Sequence, residues 1–315
     1  MKKISILDTS VCTKNLGDQI IMDSVQEELR EIFKSDFFFN MPTHDYLSEE
    51  SYKLIDQSDY VFVGGTNLLS SNMDTYNQWK ITKKDRKHLS NVILMGVGWW
   101  QYQDAPNRYT QKLLLSVLDQ AKFQSARDHY TRSKLNSIGM PNTLNTGCPT
   151  TWKLTPEHCA EIPAEKADSV VMTLTDYKPH KEKDNYLYQI LLRRYKKVYL
   201  WLQGSGDYAY AKELFNNKVE FVDPSLKAFD DILSSSDSLD YVGTRLHAGI
   251  RALKHKRRSV IVSVDNRATE MGSDIGFHYV ERQKLSELKD KIDGKLKTEI
   301  KLPLESIAAW KGQFK

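Results

Sequence analysis

Short, uninterrupted apolar runs alternate with helix-patterned stretches along almost the whole chain, and this alternation constrains the fold more than any other feature of the sequence. Apolar runs occur at residues 3–8, 60–63, 92–96, 122–125, 169–174, 198–202, 219–222, 241–242 and 259–264. They are rich in Val and Ile and mostly lack polar alternation, as expected of strands covered on both faces. Helical patterns at 19–33, 107–120, 181–195 and 246–255 lie between them. Strands that alternate with helices predict parallel sheets with helices on both sides. The alternation pauses at 147–167, a stretch with Pro149, Pro156 and Pro163. The reading is therefore α/β, with two Rossmann-like, doubly wound domains facing a cleft. The first covers 1–150, a linker covers 151–167, and the second covers 168–290. A helical segment at 291–315, carrying Trp310, is placed back on the first domain. A chain of 315 residues is long enough for two such cores.

Composition excludes several classes. With 40% hydrophobic and 27% charged residues the chain is neither disordered nor fibrous. A net charge of +4 is too mild to argue for nucleic acid. Neither basic run, Arg193, Arg194, Lys196, Lys197 or Lys254, Lys256, Arg257, Arg258, clearly shows aromatics interleaved along one groove, and both read as solvated helix ends. Attraction to an anionic membrane surface is the weaker reading. Cys12, Cys148 and Cys159 are odd in number and have no metal-ligand spacing, so neither a disulfide framework nor a metal site is expected. The apolar run at 4–7 is too short for a signal-peptide core, and no run approaches membrane-spanning length. A cytoplasmic protein, with any membrane contact peripheral, is the expectation.

Candidate chemistry sits where strand patterns give way to helix patterns. In Thr244-Arg245-Leu246-His247-Ala248 the strand ends near Val242 and a helix opens near Leu246. Ligands in open α/β sheets bind at this edge. Free amides at a helix start favour anions, and an arginine there can grip a carboxylate or phosphate through two parallel hydrogen bonds. His247 titrates near neutrality and can give or take a proton. A surface arginine beside a packed histidine fits the same residues. Ser125-Ala126-Arg127-Asp128 also ends a strand and starts a helix; Arg127 offers a second cation, and Asp128 either caps the helix or holds Arg127. Asn15 and Gly17 can adopt left-handed angles, with Asp18 as a helix N-cap. Gly64 and Gly65 allow close approach of backbone or ligand. Ordinary turns and caps account for these last groups without a substrate.

Two further signals compete. Gly204-Ser205-Gly206-Asp207-Tyr208-Ala209, with Asp223 ending the next strand, fits the dinucleotide-binding pattern. It follows the second strand of its domain, however, and Tyr208 is bulky where helix and strand should pack closely. Trp99-Trp100, with Tyr102, follows a strand end and suits either sugar stacking or core packing.

Taken in order, Asn15-Leu16-Gly17-Asp18, Gly64-Gly65, Ser125-Ala126-Arg127-Asp128, Thr244-Arg245-Leu246-His247-Ala248 and Val264-Asp265-Asn266-Arg267 resemble the polysaccharide pyruvyl transferase family, over about residues 4–277. Thr66 stands where that family often has a third glycine, and Cys148-Pro149 where it often has Asp-Pro. The resemblance implies a fold like GT-B glycosyltransferases, no cofactor, and phosphoenolpyruvate as donor. It implies a sugar acceptor, which can be lipid-linked, and donor roles for Arg127, Arg245, Leu246 and His247. Catalysis then rests on His247, Arg245 and Arg127, with substrate contacts from Leu246, Asn15, Gly17, Asp18, Gly64, Gly65, Asp128 and Thr244, and no metal. A nucleotide-sugar glycosyltransferase of similar fold is the alternative.

Overall fold

The computed structural model describes residues 1–215 and 219–315 and divides into two units. The first comprises Met1–Thr13, Ile21–Trp152 and Leu302–Lys315; the second comprises Lys14–Ile20 and Lys153–Lys301.

The first unit contains β1 (Lys3–Asp8), most of α1 (Leu16–Ile32), β2 (Phe37–Pro42), α2 (Glu49–Asp56), β3 (Tyr60–Gly64), β4 (Val92–Met95), α3 (Arg108–Val117), β5 (Gln124–Ala126), α4 (His129–Ser137) and β6 (Thr143–Asn145). The parallel order is β2-β1-β3-β4, and a parallel β5-β6 pair joins it through a bridge between Val97 and Ala126. Side chains alternate across the sheet. Ile4, Ile6, Phe62, Ile93 and Met95 face Ile21, Val25 and Leu29 of α1. Val61, Val63, Val92 and Leu94 pack with Leu113, Leu114 and Val117 of α3. Both faces are covered, which is why the strands read as continuous apolar runs. β2 was not foreseen. It is an edge strand with half-exposed side chains, and its pattern is correspondingly weak. Trp310 and Phe314, in and after the C-terminal helix Leu304–Gly312, belong to the α1 face and meet Phe62 edge-on.

The second unit contains α5 (Pro156–Ala160), β7 (Ser169–Thr173), α6 (Lys181–Leu192), β8 (Lys197–Trp201), α7 (Asp207–Phe215), β9 (Glu220–Val222), α8 (Leu226–Leu233), β10 (Leu239–Gly243), α9 (Leu246–Lys254), β11 (Ser259–Ser263), α10 (Asn266–Ile275), β12 (Tyr279–Glu281) and α11 (Leu288–Asp293). All its strand pairs are parallel, in the order β12-β11-β10-β7-β8-β9. This is the doubly wound order of dinucleotide-binding folds, with the switch point between β7 and β10. Val170, Met172, Val198, Leu200, Val242, Val260 and Val262 form its core with Leu187, Leu191, Phe215, Leu288 and Ile292.

Part of the second basic run departs from the solvated reading. Arg258 is buried against Asp240 (3.0 Å) and donates to the carbonyls of Ile292 and Gly294. Arg257 donates to the carbonyls of Leu233, the last residue of α8, and of Ser235 and Asp237 just past it. Carbonyls left over at a helix end attract such donors. No described helix is long and apolar enough to cross a membrane.

Candidate functional site

In the second unit the candidate residues gather at the carboxyl ends of β7, β8 and β10. The turn into α9 is pinned to the end of β7. The Thr244 amide donates to the Thr173 carbonyl (3.0 Å), and the Arg245 amide to Thr173 Oγ1 (3.2 Å). The buried Tyr241 hydroxyl donates to the Arg245 carbonyl (2.7 Å). Gly243 permits this closeness, since a Cβ there would lie 2.4 Å from Thr173 Oγ1. Arg245 thereby occupies the N-cap position of α9, with its side chain turned back over the sheet edge. Its Nε donates to the Leu174 carbonyl (2.6 Å), and its Nη2 to Asp207 (2.6 Å) and Asp176 (2.8 Å). The Tyr177 ring lies 5.1 Å from the guanidinium carbon. Leu246 and His247 are buried in the first turn of α9.

The glycine motif after β8 acquires a different meaning here. Asp207 Oδ2 accepts from the amides of Gln203 (3.1 Å) and Gly204 (2.7 Å), and Asp176 Oδ2 from Gly206 (3.0 Å). These amides, which a dinucleotide-binding loop would offer to a pyrophosphate, already hold carboxylates. A Cβ on Gly204 would lie 2.3 Å from Arg245 Nη2, and one on Gly206 would lie 2.5 Å from Asp176. The glycines make room for the arginine and its counter-ions. Burial pushes the Asp207 carboxyl up, against the pull of Arg245. Burial alone would lower the Arg245 guanidinium, but Asp207, Tyr177 and Asp176 together hold it above its ordinary value. Asp176 and Asp207 were not foreseen as partners of Arg245. The only trace in the sequence is the aspartate directly after the glycine pair.

Asn15 and Gly17 belong to the same unit. Asn15 Oδ1 accepts from the Gly17 amide (3.0 Å) and from Gln203 Nε2 (2.8 Å), and the Leu16 amide donates to the Gln203 carbonyl. Asp18, expected as the N-cap, is instead the third residue of α1. Asn15 stands just outside the helix, because its short amide can serve the helix-start amide and the β8 loop at once.

In the first unit Arg127 follows β5 and is almost wholly buried. Its Nη2 donates to Asn67 Oδ1 (2.6 Å), while the bonds from Nε and Nη2 to Asp128 Oδ2 are long at 3.3 Å. Asp128 Oδ1 caps α4 by accepting from the Thr131 amide (2.7 Å). Arg127 Nη1 is buried and has no hydrogen-bond partner among the described residues. Gly98 provides the space, since a Cβ there would lie 2.1 Å from Nη2. Gly64 and Gly65 adjoin α1, where added Cβ atoms would meet Val25 and Ile21. Thr66, at the expected third glycine, has φ +46°, a left-handed angle that is costly for a β-branched residue. The strain lies beside Asn67 and hence beside Arg127. Trp99 is core, its indole nitrogen bonded to Gln103 (3.0 Å), whereas Trp100 is only half-buried. Arg127 thus lies in one unit, and Arg245 and His247 in the other.

Similar solved structures include a UDP-GlcNAc 2-epimerase from Neisseria meningitidis bound to UDP-GlcNAc (12% identity, covering 99% of this chain and 98% of that one, TM-score 0.48). Others are the lipopolysaccharide outer core galactosyltransferase WaaB (10%, 99% and 91%, 0.48) and the E. coli heptosyltransferase WaaC with ADP (13%, 92% and 99%, 0.44). No curated protein matches at a significant level. The profile described as polysaccharide pyruvyl transferase matches residues 15–266, which takes in both arginines, His247 and the two glycine turns. A match over so much of the chain settles its membership: the protein belongs to the polysaccharide pyruvyl transferase family.

Proposed function

We propose that the protein transfers a pyruvyl group from phosphoenolpyruvate to hydroxyls of a sugar, in a polysaccharide or its precursor, forming a ketal and releasing phosphate. The observation that carries the reading is Arg127: a buried guanidinium inside a family motif, only loosely neutralised, with Nη1 left unanswered among the described residues. A buried donor of this kind is costly unless a ligand meets it. Phosphoenolpyruvate carries a carboxylate and a phosphate, and Arg127 and Arg245 are the two cations assigned to it. Arg245 reaches an anion through Nη1, which carries none of its bonds to Asp176, Asp207 or Leu174.

The chemistry follows from the donor. Protonated His247 gives its proton to the methylene carbon, and positive character develops at the central carbon. A sugar hydroxyl bonds there and its proton returns to the imidazole. The bond to the phosphate oxygen then breaks, and a second hydroxyl closes the ketal with loss of its proton. Guanidinium groups and the start of α9 stabilise the charge on the departing phosphate. Leu246, Thr244, Asp128, Asn15, Gly17, Asp18, Gly64 and Gly65 are assigned to shaping the substrate site.

The test is phosphate release from phosphoenolpyruvate across a panel of sugar acceptors, with the product weighed for pyruvate less one water. Release with that mass gain supports the reading. Thermal stabilisation by nucleotide sugars alone, without release, would favour nucleotide-sugar glycosyl transfer instead.

A further inference from the structure

We infer that the loops 66–78 and 96–107 of the first unit form a stacking platform for a neutral pyranose of the acceptor. The two loops are knitted together. The Gly98 amide donates to the Thr66 carbonyl, Leu69 to Gly98, Trp100 to Leu69 and Asn107 to Ser71, while the Ser71 amide donates to Gln103 Oε1. On this backing Trp100 stacks on Tyr76, with centroids 3.9 Å apart and planes 22° apart. Tyr102, two residues on, is 58% exposed and stands edge-on to Tyr130 at 5.2 Å. The Tyr130 hydroxyl is fixed by the Gln103 amide (2.8 Å). Gln101, between Trp100 and Tyr102, has φ +56°, a strained turn on which the packing insists.

Rigid, partly exposed rings are costly to leave in water and suit a ligand with one apolar face and one polar edge. A pyranose has that form: axial C–H bonds on a face, hydroxyls around the rim. The polar side chains of these loops include amides, hydroxyls and the carboxylates of Asp74 and Asp104, with Asn72 and Thr75 among them, and the loops carry no lysine or arginine. Amides and hydroxyls pair with sugar hydroxyls, and two carboxylates with no cation in these loops disfavour a phosphate. Lys134, whose ammonium lies over the Tyr130 ring, is bonded to the carbonyls of Gln103 and Asp104. The same two loops touch Arg127, through Asn67 Oδ1 and across the notch at Gly98. An acceptor resting on the rings is thereby held by the segments that hold a donor-binding arginine, and this placement rests on the function proposed above.

Trp100 is its own reporter. The other five tryptophans, Trp79, Trp99, Trp152, Trp201 and Trp310, are buried. Acrylamide quenching of the intact protein therefore reads Trp100. Neutral hexaoses of glucose, mannose and galactose are titrated without phosphoenolpyruvate. At least one should shield Trp100 from quenching. By calorimetry its binding should weaken about tenfold in Trp100→Ala and in Tyr102→Ala. It should persist in Trp100→Phe and in Tyr208→Ala, an exposed ring of the second unit. Absence of shielding by all three sugars, or binding indifferent to both ring deletions, overturns the platform. Shielding without donor turnover would overturn the proposed function and leave the platform standing; turnover without shielding would do the reverse.

Discussion

Asp207 Oδ1 lies 2.6 Å from Arg245 Nη2, and each side chain is only 2% exposed. The same aspartate holds the glycine loop through its other oxygen. Breaking a buried pair leaves an uncompensated charge. Asp207→Asn should therefore lower the unfolding free energy by about 3 kcal/mol. Asp176→Asn removes a quarter-exposed partner and should cost under about 1 kcal/mol. Urea melts of the two variants check the order; equal losses would refute it.

Both arginines lie in notches made by glycine, Arg127 against Gly98 and Arg245 against Gly204. Gly98→Ala keeps an accessible backbone but drives a methyl into the Arg127 guanidinium. The expected result is a fall in kcat/KM for the donor on the order of 100-fold, with a stability loss of about 1–3 kcal/mol. Phosphate-release kinetics and a thermal melt on one preparation measure both.

Arg245→Lys cannot meet the Leu174 carbonyl, two carboxylates and an anion, because an ammonium lacks the planar fork. Activity should drop on the order of 100-fold or more. His247→Ala should lower kcat on the order of 100-fold and leave donor KM nearly unchanged, as befits an acid rather than a binding group. The reverse pattern in steady-state kinetics would make His247 a binding residue.

Asp265 supplies an acid-side prediction. Burial opposes its charge, but the Arg267 fork and the Arg267 amide hold its carboxyl at about 2 against an ordinary 3.8. A depressed carboxyl stabilises the fold above its unfolded value and loses that effect as pH falls through the folded one. The contribution is about 2 kcal/mol. Urea melts should show Asp265→Asn less stable than wild type by roughly that amount at pH 7. The gap should shrink steadily between about pH 4 and pH 2.

Trp310 is fully buried and meets Phe62, Trp152 and Phe314 edge-on. Trp310→Ala should cost about 3–5 kcal/mol. Calorimetric melting shows whether the C-terminal helix is part of the first core; an unchanged melting temperature would exclude it.

The strands of both cores were legible from the residues because a strand covered on two faces must be apolar on both. Lys3–Asp8 and Ser259–Ser263 announce themselves in this way. Edge strands such as β2 did not, since half-exposed positions carry no such demand. The turns bearing Arg127, Arg245 and His247 were also readable, because strand-to-helix transitions leave local signatures of cap and glycine. Their partners were not. Asn67 is sixty residues from Arg127 and Asp176 sixty-nine from Arg245. Nothing local marks a carboxylate that will neutralise a distant cation.

Periodicity and turn chemistry act over a few residues, and so the chain by itself determined its doubly covered strands, its parallel α/β class and the motifs at the strand ends. The strand order that carries Asp176 and Asp207 to Arg245 is a long-range choice, made by burying both sheet faces at once. Only that choice turned Gly204 and Gly206 from an apparent phosphate loop into the notch for a guanidinium and its counter-ions.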